Sequence, residues 1–457
     1  MRLVVVVVFL AVVPFVVGCN GPKNKEKERI VQTLPIKKWS DEALMDKVQQ
    51  QTFNYFWEGA EPISGLARER VHLDGIYPQN DEDVITTGGS GFGLMAILVG
   101  VERKFISREE ALTRFERIVG FLETADRFHG AWPHWLYPNG KTAPFSAKDD
   151  GGDLVETAFL IQGLLTAKAY FNQDNERERK VGEKIQQLWE TVEWDWYTKG
   201  GETVLYWHWS PKFGWEMNFP VGGYNECLIM YVLAAASPTH PISKEVYEKG
   251  WARKGAISKD TVYYGLRTEL DHYEHDDAPV GPLFWAHYSY LGLNPNGLQD
   301  QFADYWKLNT HHAKIHYAYA LDNPLGFKGY GENLWGFTSS YSIKGYDGHR
   351  PGNDEGVISP TAALSSMPYT PEESLQFLRY MYTEQDTLIG KYGPYDAFSV
   401  EHKWYLPRYL AIDQGPIPVM IENYRTGLLW SLFMSNKDVL LGLEKLGFSY
   451  LSIENND

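Results

Sequence analysis

Residues 148–171, KDDGGDLVETAFLIQGLLTAKAYF, contain the arrangement that decides the fold of this chain. An acidic, glycine-rich loop at 128–152 leads directly into a stretch of helical character at 153–171. The same combination of a helix with a long loop rich in Gly, Trp, Tyr and Asp recurs along the sequence. Loops of this length in a compact domain usually carry function. The pattern therefore predicts a mainly α-helical protein whose loops build a site.

Apolar spacing and helix-end signals predict where the helices lie. Ser107 and Glu110 have the spacing of a capping box, and Pro371 follows an N-cap threonine. Paired helices with elaborate loops at one end favour an (α/α)6 toroid with a single catalytic domain. The alternative, a helical-repeat solenoid, would show a fixed sequence period, and none is found. The predicted helices are 41–57, 107–125, 153–171, 178–193, 223–236, 243–254, 298–320, 370–384, 418–434 and 437–446.

The first residues have the pattern of a secretion signal. Met1 and Arg2 precede an apolar run that is too short to span a bilayer comfortably, and Val16-Val17-Gly18-Cys19 resembles a bacterial lipobox. We predict a signal peptide at 1–18, a lipidated Cys19 with a tether at 19–38, and a domain at 39–457. The protein is then exported and anchored by its lipid in the periplasm or at the outer membrane. An ordinary signal peptide with a chance cysteine is the alternative.

The composition narrows the class of partner. The net charge is −16, from 59 acidic and 43 basic residues, and such a surface repels nucleic acids and acidic polysaccharides. Aromatic residues make up 15% of the chain, and many lie in polar, glycine-rich stretches. Aromatic rings stack on sugar faces and carboxylates bind hydroxyls, so the composition favours a neutral sugar as the ligand.

The strongest local cluster of carboxylates lies at the start of the helix at 153–171. Asp153 and Glu156 are one helical turn apart, and Asp149 lies about one turn before Asp153. The helix N-terminus favours the ionised form of Asp153, whereas Glu156 is the better candidate for a raised pKa. The alternative is an acidic N-cap followed by a solvated first turn.

Two further carboxylates stand at helix entrances. Glu226 follows a Gly-Gly turn and precedes an apolar helix, so it should be partly desolvated, as suits a general acid. Asp413 lies in a turn before a helix opened by proline. The alternative for Glu226 is a carboxylate that only balances the helix dipole.

No metal or cofactor is predicted. His312 and His316 are four residues apart, but no Glu lies between them as in the zinc protease motif. The sequence also has no Ser/His/Asp elbow, phosphate loop or dinucleotide fingerprint.

Three longer motifs, 332–340, 353–368 and 410–416, resemble the glucoamylase-like domain family, and within it the bacterial β-1,2-glucanases. The resemblance extends from about residue 40 to 450. It implies an (α/α)6 toroid and metal-free hydrolysis with inversion. It also implies catalytic roles for three family motifs. The family's acidic group matches Asp149, Asp153 and Glu156. Its Glu after Gly-Gly matches Glu226, and its Asp before Gln-Gly-Pro matches Asp413.

The resulting hypothesis is an inverting hydrolase of β-1,2-glucan that acts internally or releases sophorose from an end. We expect it to be a monomer. Glu226 would be the acid, Asp149 or Asp413 would activate water, and Asp153 and Glu156 would orient the reactants. About half of six tryptophans should line the groove, namely Trp132, Trp207, Trp215, Trp285, Trp335 and Trp404.

Other classes of function stay open at this point. A glycan-binding lipoprotein would need the aromatic rings but no acidic pair, and a hydrolase of another glucan linkage would keep the same fold. A polysaccharide lyase would need a basic groove, which the net charge of −16 disfavours. A phosphorylase would need a phosphate pocket.

Overall fold

Helices carry most of the architecture of residues 39–272 and 280–451, the part of the chain that the computed structural model describes. The prediction of a mainly α-helical protein is confirmed. The α-helices are α1 (Asp41–Trp57), α2 (Thr87–Glu102), α3 (Arg108–Leu122), α4 (Leu154–Tyr170), α5 (Glu176–Glu190), α6 (Leu228–Ala236), α7 (Lys244–Val246), α8 (Tyr305–Asp322), α9 (Pro360–Leu364), α10 (Pro371–Glu384), α11 (Ala411–Gln414), α12 (Pro416–Thr426), α13 (Leu428–Met434) and α14 (Lys437–Leu446).

Single turns of other helix types complete this set. A π-helix at Tyr247–Trp251 continues α7. The 3-10 turns are Trp196–Thr198, Arg253–Gly255, Leu283–Ala286, Ser289–Leu291 and Asp386–Leu388.

The strands are short and lie in the loops between helices. They are β1 (Arg70–His72), β2 (Ile85–Thr86), β3 (Trp135–Leu136), β4 (Thr142–Ala143), β5 (Gly152–Asp153), β6 (Leu205–Tyr206), β7 (His208–Trp209), β8 (Pro220–Val221), β9 (Ser258–Tyr263), β10 (Leu266–Leu270), β11 (Leu298–Gln299), β12 (Ser339–Ser342), β13 (Gly345–Gly348), β14 (Ile389–Gly390), β15 (Gly393–Pro394), β16 (Phe398–Ser399), β17 (Trp404–Tyr405), β18 (Arg408–Leu410) and β19 (Ser449–Tyr450).

These strands pair antiparallel and tie distant loops together. β2, β3 and β4 form one sheet in that order, and the other pairs are β1–β18, β5–β7, β6–β8, β9–β10, β11–β19, β12–β13, β14–β15 and β16–β17.

Two kinds of helix alternate through the first half of the chain. α2, α4 and α6 are buried on nearly every side, whereas α1, α3 and α5 bury one face. α2 packs against α4, α4 against α6, and α12 against both α1 and α2. The buried helices therefore form an inner layer, and the helices with one apolar stripe cover it.

Glycines bring α2 and α4 unusually close together. A Cβ atom at Gly91 would lie 2.1 Å from the carbonyl oxygen of Phe159, and one at Gly163 would lie 2.2 Å from the carbonyl oxygen of Gly91. Only hydrogen atoms fit at this crossing. The close approach places the N-terminus of α2 beside the first turn of α4.

Several predicted helix boundaries needed correction. The helix predicted at 223–236 begins at Leu228, and the one at 298–320 begins at Tyr305 because Leu298–Gln299 pairs with β19. The stretch 418–434 is divided at Gly427, whose φ of 68° ends α12. The helix α2 was not among the predicted helices, since its first turns are rich in glycine.

The predicted signal peptide at 1–18, Cys19 and the tether at 19–38 lie outside the described residues. None of the helices within 39–272 and 280–451 combines the length and the apolar character needed to cross a membrane.

Candidate active site

A cavity of about 400 Å³ opens where several helices begin. Thr86 caps α2, Glu156 lies in the first turn of α4, and Glu226 lies two residues before the start of α6. The cavity is lined by Glu69, Arg70, Gln79, Thr86, His134, Trp135, Phe145, Glu156, Phe159, Trp207, Glu226, Phe284, Tyr288, Ser339, Tyr341, Tyr346, Leu410 and Ile412. It thus combines carboxylates with many aromatic rings.

Short strand pairs fix the residues around this cavity. β5 pairs with β7 so that Asp153 lies opposite His208, and β2 pairs with β3 so that Thr86 lies opposite Trp135. In each case the chain then enters a helix, since Thr86 caps α2 and Asp153 caps α4. The strand pairing sets the position of the side chains before the helix begins.

Glu156 is held beside the N-terminus of α2. The backbone N–H of Gly88 donates to Glu156 Oε2 over 2.7 Å. A Cβ atom at position 88 would lie 2.5 Å from the same oxygen, so the contact requires glycine. Burial raises the pKa of Glu156 to about 8, although the charge of His134 acts in the opposite direction.

Asp153 is buried beneath the cavity and accepts three hydrogen bonds. His134 Nδ1 donates to its Oδ2 over 2.9 Å and Trp207 Nε1 over 3.0 Å, while the backbone N–H of Glu156 donates to Oδ1 over 2.9 Å. Burial opposes the ionisation of Asp153, but the hydrogen bond and charge of His134 outweigh it, and the pKa of Asp153 is lowered.

Asp149 joins Asp153 in a group with two histidines. Asp149 Oδ2 lies 3.3 Å from His208 Nε2 and 3.7 Å from His134 Nδ1. Burial alone would lower the pKa of His134, but the charges of Glu156, Asp153 and Asp149 raise it to about 10. His134 therefore carries a proton at neutral pH and balances the carboxylates.

The same group has the donor chemistry of a metal site. One ligand atom from each of His134, Asp149, Asp153 and His208 lies within 4.8 Å of the others. The sequence predicted no metal, and His134 and His208 lie far along the chain from each other, on either side of Asp149 and Asp153. Each histidine also lies beside a carboxylate: His134 Nδ1 is 2.9 Å from Asp153 Oδ2, and His208 Nε2 is 3.3 Å from Asp149 Oδ2.

Glu226 lines the cavity from the side of α6. Its side chain is buried, and burial raises the pKa of Glu226 to about 7. Ser289 fixes the local backbone, because its Oγ donates to the carbonyl of Glu226 and accepts from the N–H of Ile229. Glu226 therefore holds a proton that is available near neutral pH.

Asp413 forms a buried pair with Asp396. Burial and the charge of Asp396 raise the pKa of Asp413, and burial raises the pKa of Asp396 to about 6. Asp413 does not line the cavity, but Ile412 beside it and Tyr288, which contacts it, do. The backbone N–H of Tyr341 donates to Asp396 Oδ2 over 2.9 Å.

Only Trp207 of the six predicted tryptophans lines the cavity. Trp132 and Trp335 are 0% exposed, so their predicted contact with substrate is wrong. Their rings instead pack in the core, against Arg127 and Tyr317 respectively.

The other three tryptophans also lie outside the cavity lining. Trp285 packs against Tyr224 and His272, and Trp404 belongs to the β16–β17 hairpin. Trp215 lines a separate depression on the surface.

Comparison with known proteins identifies the family. Residues 218–437 match a family model described as "Putative glucoamylase". The endo-β-1,2-glucanase of Chitinophaga pinensis, solved with sophorotriose and glucose, is 59% identical, and the match covers 90% of this chain and 99% of that one with a TM-score of 0.88. The chain belongs to the glucoamylase-like family. The resemblance inferred from the three motifs is confirmed.

Two other relatives of this glucoamylase-like chain differ in length or in sequence. The exo β-1,2-glucooligosaccharide sophorohydrolase of Parabacteroides distasonis is 45% identical over 429 residues, which is 89% of this chain. The chain spans only 58% of that protein's length. The endo-β-1,2-glucanase of Talaromyces funiculosus shares the fold, with a TM-score of 0.66 at 10% identity.

The structure brings the five carboxylates predicted from the family motifs to one region of this glucoamylase-like chain. Other residues that the sequence did not single out lie in the same region. Glu156 and Glu226 line the cavity, while Asp149, Asp153 and Asp413 lie buried next to lining residues. The additions are Glu69, Asp396, His134, His208 and Trp135. Glu69 lies between Arg68 and Arg70 and reads as part of a solvated charge run, so no sequence signal marked it.

Proposed function

We propose that this chain is an inverting glycoside hydrolase that cleaves β-1,2-glucan or its oligosaccharides. The observation that carries the proposal is the cavity shared by Glu156 and Glu226, two buried carboxyl groups of raised pKa, among aromatic rings. The linkage is supplied by the two relatives of 59% and 45% identity, which are named for β-1,2-glucan and its oligosaccharides.

Glu226 is the general acid in this mechanism. A group with a pKa of about 7 keeps its proton at neutral pH and still releases it readily in the transition state. The proton goes to the glycosidic oxygen, directly or through a neighbouring sugar hydroxyl. The leaving sugar departs with that oxygen while water adds to the anomeric carbon from the opposite face.

Asp149 or Asp413 is the base that removes a proton from this water. Asp149 Oδ1 is buried and has no hydrogen-bond partner among the described residues, which leaves an acceptor for water. Asp413 lies in a buried pair with Asp396, and when one carboxyl group of the pair holds a proton the other can stay ionised and accept one. Asp153 and Glu156 orient the reactants from the first turn of α4. The mechanism requires no metal.

The finer architecture and the location of the protein are part of the same proposal. The alternation of fully buried and one-sided helices, with α12 packed back onto α2, supports an (α/α)6 toroid for the domain at 39–457. The lipobox-like 16–19 supports a signal peptide at 1–18, a lipidated Cys19 and a membrane anchor on an exported protein.

The test is incubation of residues 20–457 with linear β-1,2-, β-1,3- and α-1,4-glucans without phosphate, followed by separation of the products over time. Sophorose alone from β-1,2-glucan indicates attack at an end, and a ladder of oligomers indicates internal attack. Cleavage of only another glucan contradicts the linkage. Binding without any cleavage contradicts the hydrolase and supports a glycan-binding protein.

A further inference from the structure

A second depression lies on the surface outside the active-site cavity. Its volume is about 510 Å³. Its lining combines two half-buried indoles with charged side chains, namely Trp196, Trp215, Glu193, Asp195, Lys199 and His240. None of these residues lines the catalytic cavity.

The aromatic part of this depression is a braced stack. The ring of Trp196 lies parallel to that of His129, with centroids 3.5 Å apart and planes at 9°. The ring centroids of Trp215 and Trp196 are 4.9 Å apart, and the two ring planes are tilted by 32° to each other. Trp209 meets the edge of Trp196 at 5.3 Å. Because neighbouring rings hold both indoles, a ligand that contacts them need not order them first.

The polar rim offers carboxylate acceptors. Glu193 Oε2 is 3.1 Å from His129 Nδ1, and Asp195 Oδ1 is 3.1 Å from His240 Nδ1. The two carboxylate side chains stay 39% and 54% exposed, so each retains lone pairs for a ligand. Flat rings beside accessible carboxylates match a neutral sugar, whereas the negative charge disfavours an acidic one.

One loop connects this depression with the active site. Trp207 lines the cavity, and Trp209, two residues along the same segment, abuts the stack. Trp215 follows in the same loop. The adjacent Glu216 forms an ion pair with Lys148, with Oε1 and Nζ 2.6 Å apart. Lys148 directly precedes Asp149. The same loop segment therefore contacts both the surface depression and the residues around the active-site cavity.

We propose that the depression around Trp196 and Trp215 is a second sugar-binding site, which holds the glucan substrate outside the catalytic cavity. The identity of the glucan rests on the proposed function. Such a site would raise the affinity for a polymer that reaches both places, and it would contribute nothing to an oligosaccharide that fills only the cavity.

The first experiment compares polymer binding among inactive proteins. Binding of linear β-1,2-glucan is measured for E226Q, E226Q/W215A and E226Q/W306A. Trp306 is an equally half-buried indole on α8, so its removal controls for loss of packing. We expect about a three- to tenfold weaker binding with W215A, as for loss of one aromatic contact, and no change with W306A. Equal binding by all three proteins overturns the proposal.

A second measurement does not depend on the folding of W215A. Calorimetric titration of E226Q with a short β-1,2-gluco-oligosaccharide should give two sites per chain, and a single site overturns the proposal. Hydrolysis by the native chain is assayed in parallel. Two binding sites without hydrolysis would contradict the proposed hydrolase and support the second sugar-binding site. Hydrolysis with a single binding site would support the hydrolase and contradict the second site.

Discussion

Asp153 and Glu156 lie one helical turn apart, yet their surroundings shift their pKa values in opposite directions. Both are buried, which favours the neutral form of each. Asp153 receives hydrogen bonds from His134 and Trp207, and its pKa is lowered. Glu156 receives one backbone hydrogen bond near the negative charge of Asp153, and its pKa rises to about 8. The hydrogen-bond and charge partners of the two carboxyl groups, rather than their degree of burial, therefore shift their pKa values in opposite directions.

The substitution E226Q tests the acid. Glutamine keeps the size of the side chain but has no proton to donate, so kcat should fall by about 10²–10⁴-fold. The thermal midpoint should not fall, because the buried carboxyl group is replaced by a neutral amide. Rates on β-1,2-glucan and melting curves measure the two effects. Retention of more than a tenth of the activity would assign the acid to another group.

The pH profile follows from the raised pKa of Glu226. The acid must be protonated to act, so kcat/KM should decline as the pH rises through about 7. An ordinary glutamate would lose its proton near pH 4.5, and activity would then fall throughout the range from 5 to 7. Initial rates in buffers of constant ionic strength give the profile. An alkaline limb that begins near 5 would contradict the assignment.

At the scale of elements, the N-terminus of α2 shapes the site. Its first turns contain glycines because the helix lies against Glu156 and against the backbone of α4. A helix so rich in glycine has weak intrinsic propensity, so tertiary packing must stabilise it. This explains why a poor helix-forming sequence stands at the centre of the fold.

The substitution G88A tests this contact. The added methyl group would lie 2.5 Å from Glu156 Oε2, so we expect a loss of about 1–3 kcal/mol in the free energy of unfolding, together with reduced activity. The control is G120A in α3, where a Cβ atom meets nothing within 4 Å. That change should stabilise the protein by about 0.5–1 kcal/mol. Denaturant unfolding measures the free energy of unfolding of both variants. Similar values for G88A and G120A would contradict the steric argument.

At the scale of the whole molecule, the last helices close onto the first ones. Glu422 of α12 is 1% exposed at its side chain and binds Arg103, which follows α2, with Nε at 2.6 Å and Nη2 at 2.7 Å. Gln49 of α1 donates to the same carboxylate over 3.2 Å. A charged junction thus joins the two ends of the described fold.

The substitution R103M tests this closure. It leaves Glu422 buried without its charge partner, so the free energy of unfolding should fall by about 3–5 kcal/mol. K180M removes an exposed pair with Glu176 within one helix and should change stability by less than about 0.5 kcal/mol. Equal effects in chemical denaturation would show that the buried pair has no special role.

The proposed anchor concerns the whole protein and depends on one atom, the sulfur of Cys19. C19S removes the thiol that would carry the lipid, so the full chain should move from the membrane fraction to the soluble exported fraction. Cell fractionation and mass spectrometry of the N-terminal peptide measure this change. A native chain that is already soluble would support the alternative of an ordinary signal peptide.

Local signals in the sequence determined several of the helices and the carboxylates near helix starts. The ends of α1, α3 and α10 agree with the predicted spans within a few residues, because caps and apolar periodicity act over one or two turns. The family motifs likewise pointed to Asp149, Asp153, Glu156, Glu226 and Asp413. Each of these residues precedes or begins a helix, which is a short-range feature.

Only the tertiary structure decided which side chains meet. A tryptophan in a glycine-rich loop looks the same in sequence whether it is buried, as Trp132 is, or lines the cavity, as Trp207 does. Likewise, His134 and His208 reach Asp149 and Asp153 through strand pairing between distant loops. Such contacts depend on how all the helices pack, and burial then sets the pKa values on which the proposed chemistry depends.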